Sequence, residues 1–104
     1  MKHLTTLSEF KEAISSDTLV VIDFYAQWCG PCKAIAPHLE HLAYTFQSTA
    51  FYKVDVDDAT EISQHEKVRA MPTFGFYRKG EQIGVVIGAN KSALTDQLNA
   101  LTSA

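Results

Sequence analysis

Residues 20–33 of the chain read Val-Val-Ile-Asp-Phe-Tyr-Ala-Gln-Trp-Cys-Gly-Pro-Cys-Lys. The apolar run that leads into this stretch, Leu19 to Tyr25, is hydrophobic on both alternating faces, which predicts a central β-strand covered on both sides. A helical pattern follows from Cys32 to Phe46, in which apolar residues recur at i, i+4, i+7 and i+11 and Pro37 is expected to introduce a kink. The two cysteines therefore lie where a buried strand turns into a helix, the place at which α/β folds put their functional sites.

Alternating elements continue outward from this stretch and predict an α/β fold. We expect three layers, with a central mixed β-sheet flanked by helices, because crossover helices join the first strands and a hairpin joins the last two. The predicted elements are a short strand near Thr5, a helix at Ser8–Ile14 capped by Ser8, a strand at 51–56, a helix capped by Asp57 or Asp58 and ending near Glu66, strands at Thr73–Tyr77 and Gln82–Ile87, and a last helix capped by Asn90.

Length and charge exclude several classes of protein. The chain has 104 residues, and we expect residues 1–104 to form one domain. Its net charge of −3 offers no basic field for a phosphate backbone, so no nucleic-acid partner is predicted. No apolar run is long enough to span a membrane, and the N-terminal residues carry no signal or transit pattern, so a cytoplasmic protein is expected.

The spacing of Cys29 and Cys32 places them on one face of a first helical turn, within reach of disulfide geometry. Cys29 would lie at the helix N-terminus, where unpaired N–H groups and the helix dipole favour its thiolate, and Cys32 would be more buried. We therefore expect Cys29 to attack and Cys32 to resolve. Gly30 would let a partner chain approach closely, and Pro31 would stiffen the loop.

The sequence does not support either of two conceivable metal sites. A zinc site would need His38 and His41 as further ligands, but His38 would lie about 9 Å along the helix from Cys32, too far to share one ion. These two histidines are expected to be solvated instead. An EF-hand reading of residues 55–66 fails because Ala59 and Thr60 stand where an acid and a glycine are required. No metal site is predicted.

The chain resembles the thioredoxin family along nearly its whole length. The resemblance rests on five motifs in the expected order: the central-strand Asp23, Trp-Cys-Gly-Pro-Cys-Lys at 28–33, Lys-Val-Asp-Val-Asp at 53–57, Ala-Met-Pro-Thr at 70–73 and Gly-Ala-Asn at 88–90. The form of these motifs is most similar to the eukaryotic cytosolic branch. One departure is Gly75, which lies inside a strand where larger apolar residues are usual, and which would mark a bulge or loosened packing.

The resemblance and the residue chemistry together suggest roles near the cysteines. Burial within its strand should raise the pKa of Asp23, which would act as the base for the Cys32 proton; the alternative is a hydrogen-bonded structural acid. Lys53 would support this acid electrostatically, unless it is an ordinary surface lysine. Trp28 would form a flat apolar lip beside the cysteines rather than fill the core.

The resemblance also predicts a substrate groove. Pro72 would be cis and face the cysteines, and Met71 would offer its backbone groups to an extended substrate segment. Gly88 and Ala89 would form the other wall. Such a groove would suit varied protein partners.

The activity that this resemblance implies is protein disulfide reduction through a mixed disulfide. Recycling would come from a flavin thioredoxin reductase using NADPH, with no cofactor bound to the chain itself. Expected targets are peroxiredoxins and methionine sulfoxide reductases, and the chain should be mainly monomeric. The alternatives are an oxidase or isomerase of the same fold and a non-catalytic binding module.

Overall fold

The computed structural model describes residues 1–103. Within them it contains five strands and four helices, which alternate as far as the fourth strand and are followed by a hairpin to the fifth strand and a last helix. The elements are β1 (Lys2–His3), α1 (Leu7–Ile14), β2 (Val20–Tyr25), α2 (Gly30–Thr45), β3 (Ala50–Asp55), α3 (Thr60–His65), β4 (Thr73–Arg78), β5 (Glu81–Ile87) and α4 (Lys91–Thr102).

The five strands form one mixed sheet in the order β1-β3-β2-β4-β5. Strands β1, β3 and β2 are parallel, as helical crossovers require, whereas β4 is antiparallel to β2 and to β5. The β4–β5 turn is tight because Lys79 and Gly80 both adopt positive φ, at 54° and 82°. The predicted mixed sheet is confirmed, and β2, which leads to the cysteines, lies at its centre.

Helices cover both faces of the sheet, which confirms the three-layer prediction. On one face α2 and α4 pack over the alternate strand residues that include Val21, Phe74 and Phe76. On the other face α1 and α3 pack over the intervening residues, including Ile22 and Phe24. Both faces of β2 are therefore buried, as its continuous apolar sequence predicts.

The predicted cap of α1 is wrong by two residues. Thr6, not Ser8, is the N-cap, and it forms a capping box with Glu9: the Thr6 side chain accepts from the Glu9 N–H at 3.1 Å, and the Glu9 carboxylate accepts from the Thr6 N–H at 3.1 Å. The reciprocal pair satisfies two orphan donors, whereas a Ser8 cap would satisfy one. Hydrogen bonds from the backbone and side chains of Thr5 and Thr6 lower the pKa of Glu9 to about 2.

Two other local predictions are also wrong. The N-cap position of helix α3 is Ala59, whose side chain cannot accept a hydrogen bond, so neither Asp57 nor Asp58 caps the helix. The Asp57 carboxylate accepts from the Trp28 indole instead. The first strand is Lys2–His3 and does not include Thr5. By contrast, Asn90 caps α4 as predicted, accepting from the Ala93 N–H at 3.0 Å.

Strand β4 is neither bulged nor loosely packed at Gly75, so that expectation is wrong. The irregularity in the β4–β5 ladder lies between Phe76 and Tyr77, where Phe76 pairs with Gly84 and Tyr77 pairs with Gln82. Ile83 is thereby left as the extra residue of a bulge on β5. The space beside Gly75 is filled by the Tyr77 ring.

Helix α2 continues without interruption through Pro37, from Gly30 to Thr45. Neither this helix nor any other within residues 1–103 is long and apolar enough to cross a bilayer.

Candidate active site

Cys29 lies at the junction between the central strand and the long helix. It is the N-cap of α2, and its Sγ accepts a hydrogen bond from the Cys32 N–H at 3.2 Å. The two sulfur atoms are joined in a disulfide. The first cysteine therefore stands at the positive end of the helix dipole, where backbone N–H groups stabilise a thiolate once the disulfide is reduced.

The two cysteines are buried to nearly the same extent, at 4% and 6% relative exposure for Cys29 and Cys32. The expectation that Cys32 is the more buried one is therefore wrong. Both cysteines belong to one buried cluster with Ala26, and Tyr25, Val56 and Met71 pack against that cluster.

The Met71–Pro72 segment faces the cysteines as expected, and its peptide bond is cis. The carbonyl oxygen of Met71 lies 3.7 Å from the Sγ of Cys29. The N–H of Gly88 donates to the Pro72 carbonyl at 2.8 Å, and Gly88 has a φ of 94° that favours glycine. This bond brings the turn after β5 to the same end of the sheet, with Ala89 exposed beside it.

Trp28 is not a core residue, because 69% of its surface is exposed. Its Nε1–H donates to a carboxylate oxygen of Asp57 at 2.8 Å. An exposed indole held in this way presents a fixed apolar surface next to Cys29. The contribution of Asp57 to the site could not be predicted from the sequence. Trp28 and Asp57 are 29 residues apart, and no local pattern indicates that they form a hydrogen bond.

Asp23 is buried in the centre of the sheet, at 3% exposure. Its Oδ1 has no hydrogen-bond partner among the described residues. Desolvation raises the pKa of Asp23 to about 6, and the positive charge of Lys53 offsets part of this rise. The predicted direction is confirmed, and the orphaned oxygen does not fit a fully hydrogen-bonded structural acid.

A cavity of about 330 Å³ connects Asp23 to the redox pair. Asp23 and Cys32 both line it, together with Lys53 and Tyr25. The cavity is large enough for several water molecules, and its polar lining supplies partners for them. Asp23 and Cys32 therefore share one polar cavity.

Lys53 lies beside Asp23, because the two residues are register partners on the parallel strands β3 and β2. Its ammonium nitrogen is 4.5 Å from the centroid of the Tyr25 ring. The Tyr25 hydroxyl and the His3 Nδ1 are 3.3 Å apart. Neither Tyr25 nor His3 was expected near the site, and only the register of the sheet brings His3 there.

The histidines of α2 have no part in this arrangement. His38 is half-buried, with its Nε2 3.0 Å from the Thr95 hydroxyl on α4, so the expectation that it is solvated is only half right. His41 is exposed as predicted. Residues 1–103 contain no group of three or more His, Cys, Asp or Glu side chains arranged to hold a metal ion.

A family model described as Thioredoxin matches residues 1–100 of the chain. The chain belongs to the thioredoxin family. Its fold, its Cys-Gly-Pro-Cys pair and the position of that pair at the start of α2 are those of a thioredoxin, and thiol–disulfide oxidoreduction is the chemistry that the family carries out with such a pair.

Eukaryotic thioredoxins are similar to this one over nearly the whole chain. Thioredoxin-1 of Schizosaccharomyces pombe is 46% identical over 100 residues, covering 96% of this chain and 97% of that protein. Thioredoxin of Oryctolagus cuniculus is 44% identical over 103 residues, covering 97% and 98%. The crystal structure of oxidized mitochondrial thioredoxin 3 from Saccharomyces cerevisiae superposes with a TM-score of 0.93 at 44% identity, covering 97% of this chain and 95% of that one.

Proposed function

We propose that this thioredoxin is a reductase of disulfides in other proteins. The thiolate of reduced Cys29 attacks one sulfur of a target disulfide, forming a mixed disulfide and releasing the other target sulfur as a thiolate. Cys32 then attacks the Sγ of Cys29. The second target sulfur leaves with the electron pair, and Cys29–Cys32 is left oxidised.

The observation that carries this proposal is the position of Cys29 as the N-cap of α2. Its sulfur accepts the Cys32 N–H, and the same interaction and the helix dipole stabilise a negative charge on that sulfur. A stabilised thiolate is the species that attacks a disulfide. Cys32 lies one turn further along the helix and is the resolving residue.

Asp23 is proposed as the base that accepts the Cys32 proton. Near neutral pH, a carboxyl with a pKa of about 6 is mostly ionised yet retains enough basicity to take a proton. Water in the shared cavity would carry the proton from Cys32, and Lys53 would favour the ionised carboxylate.

Substrate proteins are proposed to bind in a groove around Cys29, defined by Trp28, Met71, Pro72, Gly88 and Ala89. The exposed indole supplies apolar contact. The backbone of Met71, directly beside Cys29, is placed to pair with an extended substrate segment. Gly30 has no heavy atom within 4 Å of the place where a Cβ would stand, which leaves room for a partner chain, and Pro31 stiffens the turn.

In the cell, this chain would act as a single thioredoxin domain spanning residues 1–104 and mainly as a monomer. A flavin thioredoxin reductase would return it to the dithiol state with electrons from NADPH. Its targets would be peroxiredoxins, methionine sulfoxide reductases and similar enzymes that finish each turnover oxidised. Cytoplasmic redox homeostasis is the proposed setting, although one similar yeast protein carries the name mitochondrial.

Reduction of insulin tests the proposal. The protein is mixed with insulin, thioredoxin reductase and NADPH, and NADPH oxidation is followed together with precipitation of the freed insulin chains. We expect the wild type to reduce insulin with continuous oxidation of NADPH, and we expect Cys29→Ser to have no such activity. NADPH oxidation confined to one equivalent per protein molecule, with no loss of insulin disulfides, would contradict a reductase and favour a binding module. Oxidation of a reduced peptide in preference to insulin reduction would favour an oxidase.

A further inference from the structure

Three residues on three neighbouring strands form a row that ends at Asp23. His3 on β1 is the register partner of Lys53 on β3, and Lys53 is the register partner of Asp23 on β2. Side chains in register on adjacent strands point to the same face of a sheet. This row therefore lies on the face covered by α2, where Cys32 lines the cavity shared with Asp23.

Tyr25 contacts this row from one side. It follows Asp23 by two residues on β2 and so shares its face. Its ring stands 4.5 Å from the Lys53 ammonium, which is a cation–π contact. Its hydroxyl is 3.3 Å from the Nδ1 of His3, and the two rings meet edge to face with centroids 6.0 Å apart.

We propose that Tyr25 is a positioning residue whose ring holds the Lys53 ammonium beside Asp23. The proposal rests on the proposed function of Asp23 as proton acceptor for Cys32. Tyr25 itself touches no reacting atom in this scheme and acts only through Lys53.

A lysine side chain needs such a partner to stay near a buried acid. Its ammonium is strongly hydrated and its four-carbon stem is flexible, so an unrestrained Lys53 would extend into solvent, where its charge is screened. The face of an aromatic ring attracts the cation and keeps it at the mouth of the cavity. The positive charge of Lys53 then stabilises the ionised form of Asp23 and lowers its pKa.

Lys53 is the group whose positive charge lowers the pKa of Asp23. A second lysine, Lys33 of α2, lines the same cavity, but its charge is not among the causes of the Asp23 pKa shift. Asp55 at the end of β3 and Asp58 beyond it are negative, and with Asp23 and desolvation they raise the pKa of Tyr25. The Tyr25 phenol therefore remains neutral at physiological pH and acts as a ring and a hydroxyl, not as a charge.

Titration of the Asp23 carboxyl by carbon NMR tests the proposal directly. The measurement uses the full chain with the disulfide intact, so that neither cysteine titrates. The variants are Tyr25→Leu, which removes the ring face, and Tyr25→Phe, which keeps it. Tyr44→Leu makes the same change at a tyrosine on α2 that is 75% exposed, and it serves as the matched control.

The titration midpoint of Asp23 is expected to move upward by roughly half a pH unit in Tyr25→Leu, a fraction of the ~1–3 units that an adjacent opposite charge produces. It should stay within about 0.2 of wild type in Tyr25→Phe and in Tyr44→Leu, well below that effect. A midpoint that does not move in Tyr25→Leu, or that falls, overturns the proposal, since Tyr25 would then not keep Lys53 close to Asp23.

A double variant separates positioning from a change in desolvation, because leucine also alters the packing beside Asp23. In a Lys53→Met background, Tyr25→Leu should produce no further upward movement. A further rise equal to that in the wild-type background would show that Tyr25 acts through burial and would overturn the proposal. These titrations do not depend on catalysis. If they behave as expected while Asp23→Asn reduces insulin as fast as wild type, the positioning role stands and the proposed base role of Asp23 fails.

Discussion

The phenol ring of Tyr77 lies directly over Gly75, its neighbour two residues earlier on β4. A β-carbon at residue 75 would stand 2.6 Å from Cε1 of this ring and 2.7 Å from its hydroxyl oxygen. The ring also meets Phe10 edge to face at 5.5 Å, and its hydroxyl donates to the Glu66 carboxylate at the end of α3. Gly75 therefore provides the space through which a buried tyrosine links the sheet to two helices.

Gly75→Ala is expected to destabilise the fold by about 1–3 kcal/mol, the usual cost of forcing extra volume into a packed core. Chemical denaturation measures this change. In a Tyr77→Leu background, the same substitution should cost clearly less, because the clashing ring is absent. Gly30→Ala is the control, since no heavy atom lies within 4 Å of its would-be Cβ. Equal costs in both backgrounds would show that the ring is not the constraint.

Cys32→Ser is expected to trap target proteins in a mixed disulfide with Cys29. The substitution leaves the attacking cysteine intact and removes the thiol that resolves the intermediate. Non-reducing electrophoresis with a defined disulfide substrate should show the adduct, which dithiothreitol releases. Cys29→Ser should form none. Adducts in Cys29→Ser and none in Cys32→Ser would reverse the two roles.

Asp23→Asn is expected to stabilise the folded protein near neutral pH. The folded pKa of Asp23, about 6, lies above its unfolded value of 3.8, so the wild type is stabilised by protonation below about pH 4 and loses that contribution as pH rises through 6. At pH 7 the loss is on the order of 3 kcal/mol, taking ~1.4 kcal/mol for each pH unit between the two values.

The pH dependence of the added stability shows whether ionisation of Asp23 causes it. Denaturant midpoints of wild type and Asp23→Asn should differ most at pH 7–8 and converge towards pH 4. A difference that stays constant across this range would mean that shape or hydrogen bonding, and not ionisation, separates the two proteins.

Disulfide reduction by Asp23→Asn should change in the opposite direction. Without a base for the Cys32 proton, resolution slows by up to roughly 10²-fold near pH 7, at the low end of what a positioned base contributes. The deficit should shrink as pH approaches ~8.5, where a thiol ionises unaided. Reduction rates measured from about pH 6 to 9 check this. A variant that is fast at every pH would remove Asp23 from the mechanism.

Trp28→Ala is expected to raise KM for protein disulfides more than it lowers kcat. The indole is 69% exposed and is held by Asp57, so its loss removes substrate contact while the buried core is unaffected. Steady-state insulin reduction gives both constants, and thermal unfolding should change little. Tyr44→Ala, at an equally exposed aromatic residue elsewhere, controls for general surface effects. A fall in kcat with KM unchanged would place Trp28 in the chemical step instead.

Much of the fold could be predicted because its signals are local. The continuous apolar run of β2 indicates burial on both faces, the three-residue spacing of the cysteines places them in one helical turn, and Asn90 precedes an apolar helical pattern as a cap. Thr6 and Glu9 also have the spacing of a capping box. This local signal favours Thr6 over Ser8 as the N-cap of α1.

The parts that could not be predicted depend on contacts between distant segments. The bond between Trp28 and Asp57 requires the turn after β3 to pass beside α2. The place of His3 near Asp23 depends on the register of three strands, which a single sequence does not specify. The nearly equal burial of both cysteines depends on Val56 and Met71, which come from distant segments and pack against the cysteine cluster.

We expect the bulge at Ile83 to limit association of this protein when many copies are crowded together. Strand β5 is an edge of the sheet, and Ile83, Val85 and Ile87 leave its apolar side chains exposed. A regular edge of this composition would be a template for strands from neighbouring molecules, and so a seed for aggregation. The extra residue interrupts the alternation of the ladder, and bulges of this kind increase the local twist, so we expect a foreign strand to pair less readily with this edge. The opposite edge, β1, is only two residues long, so we expect neither edge of the sheet to favour fibril growth.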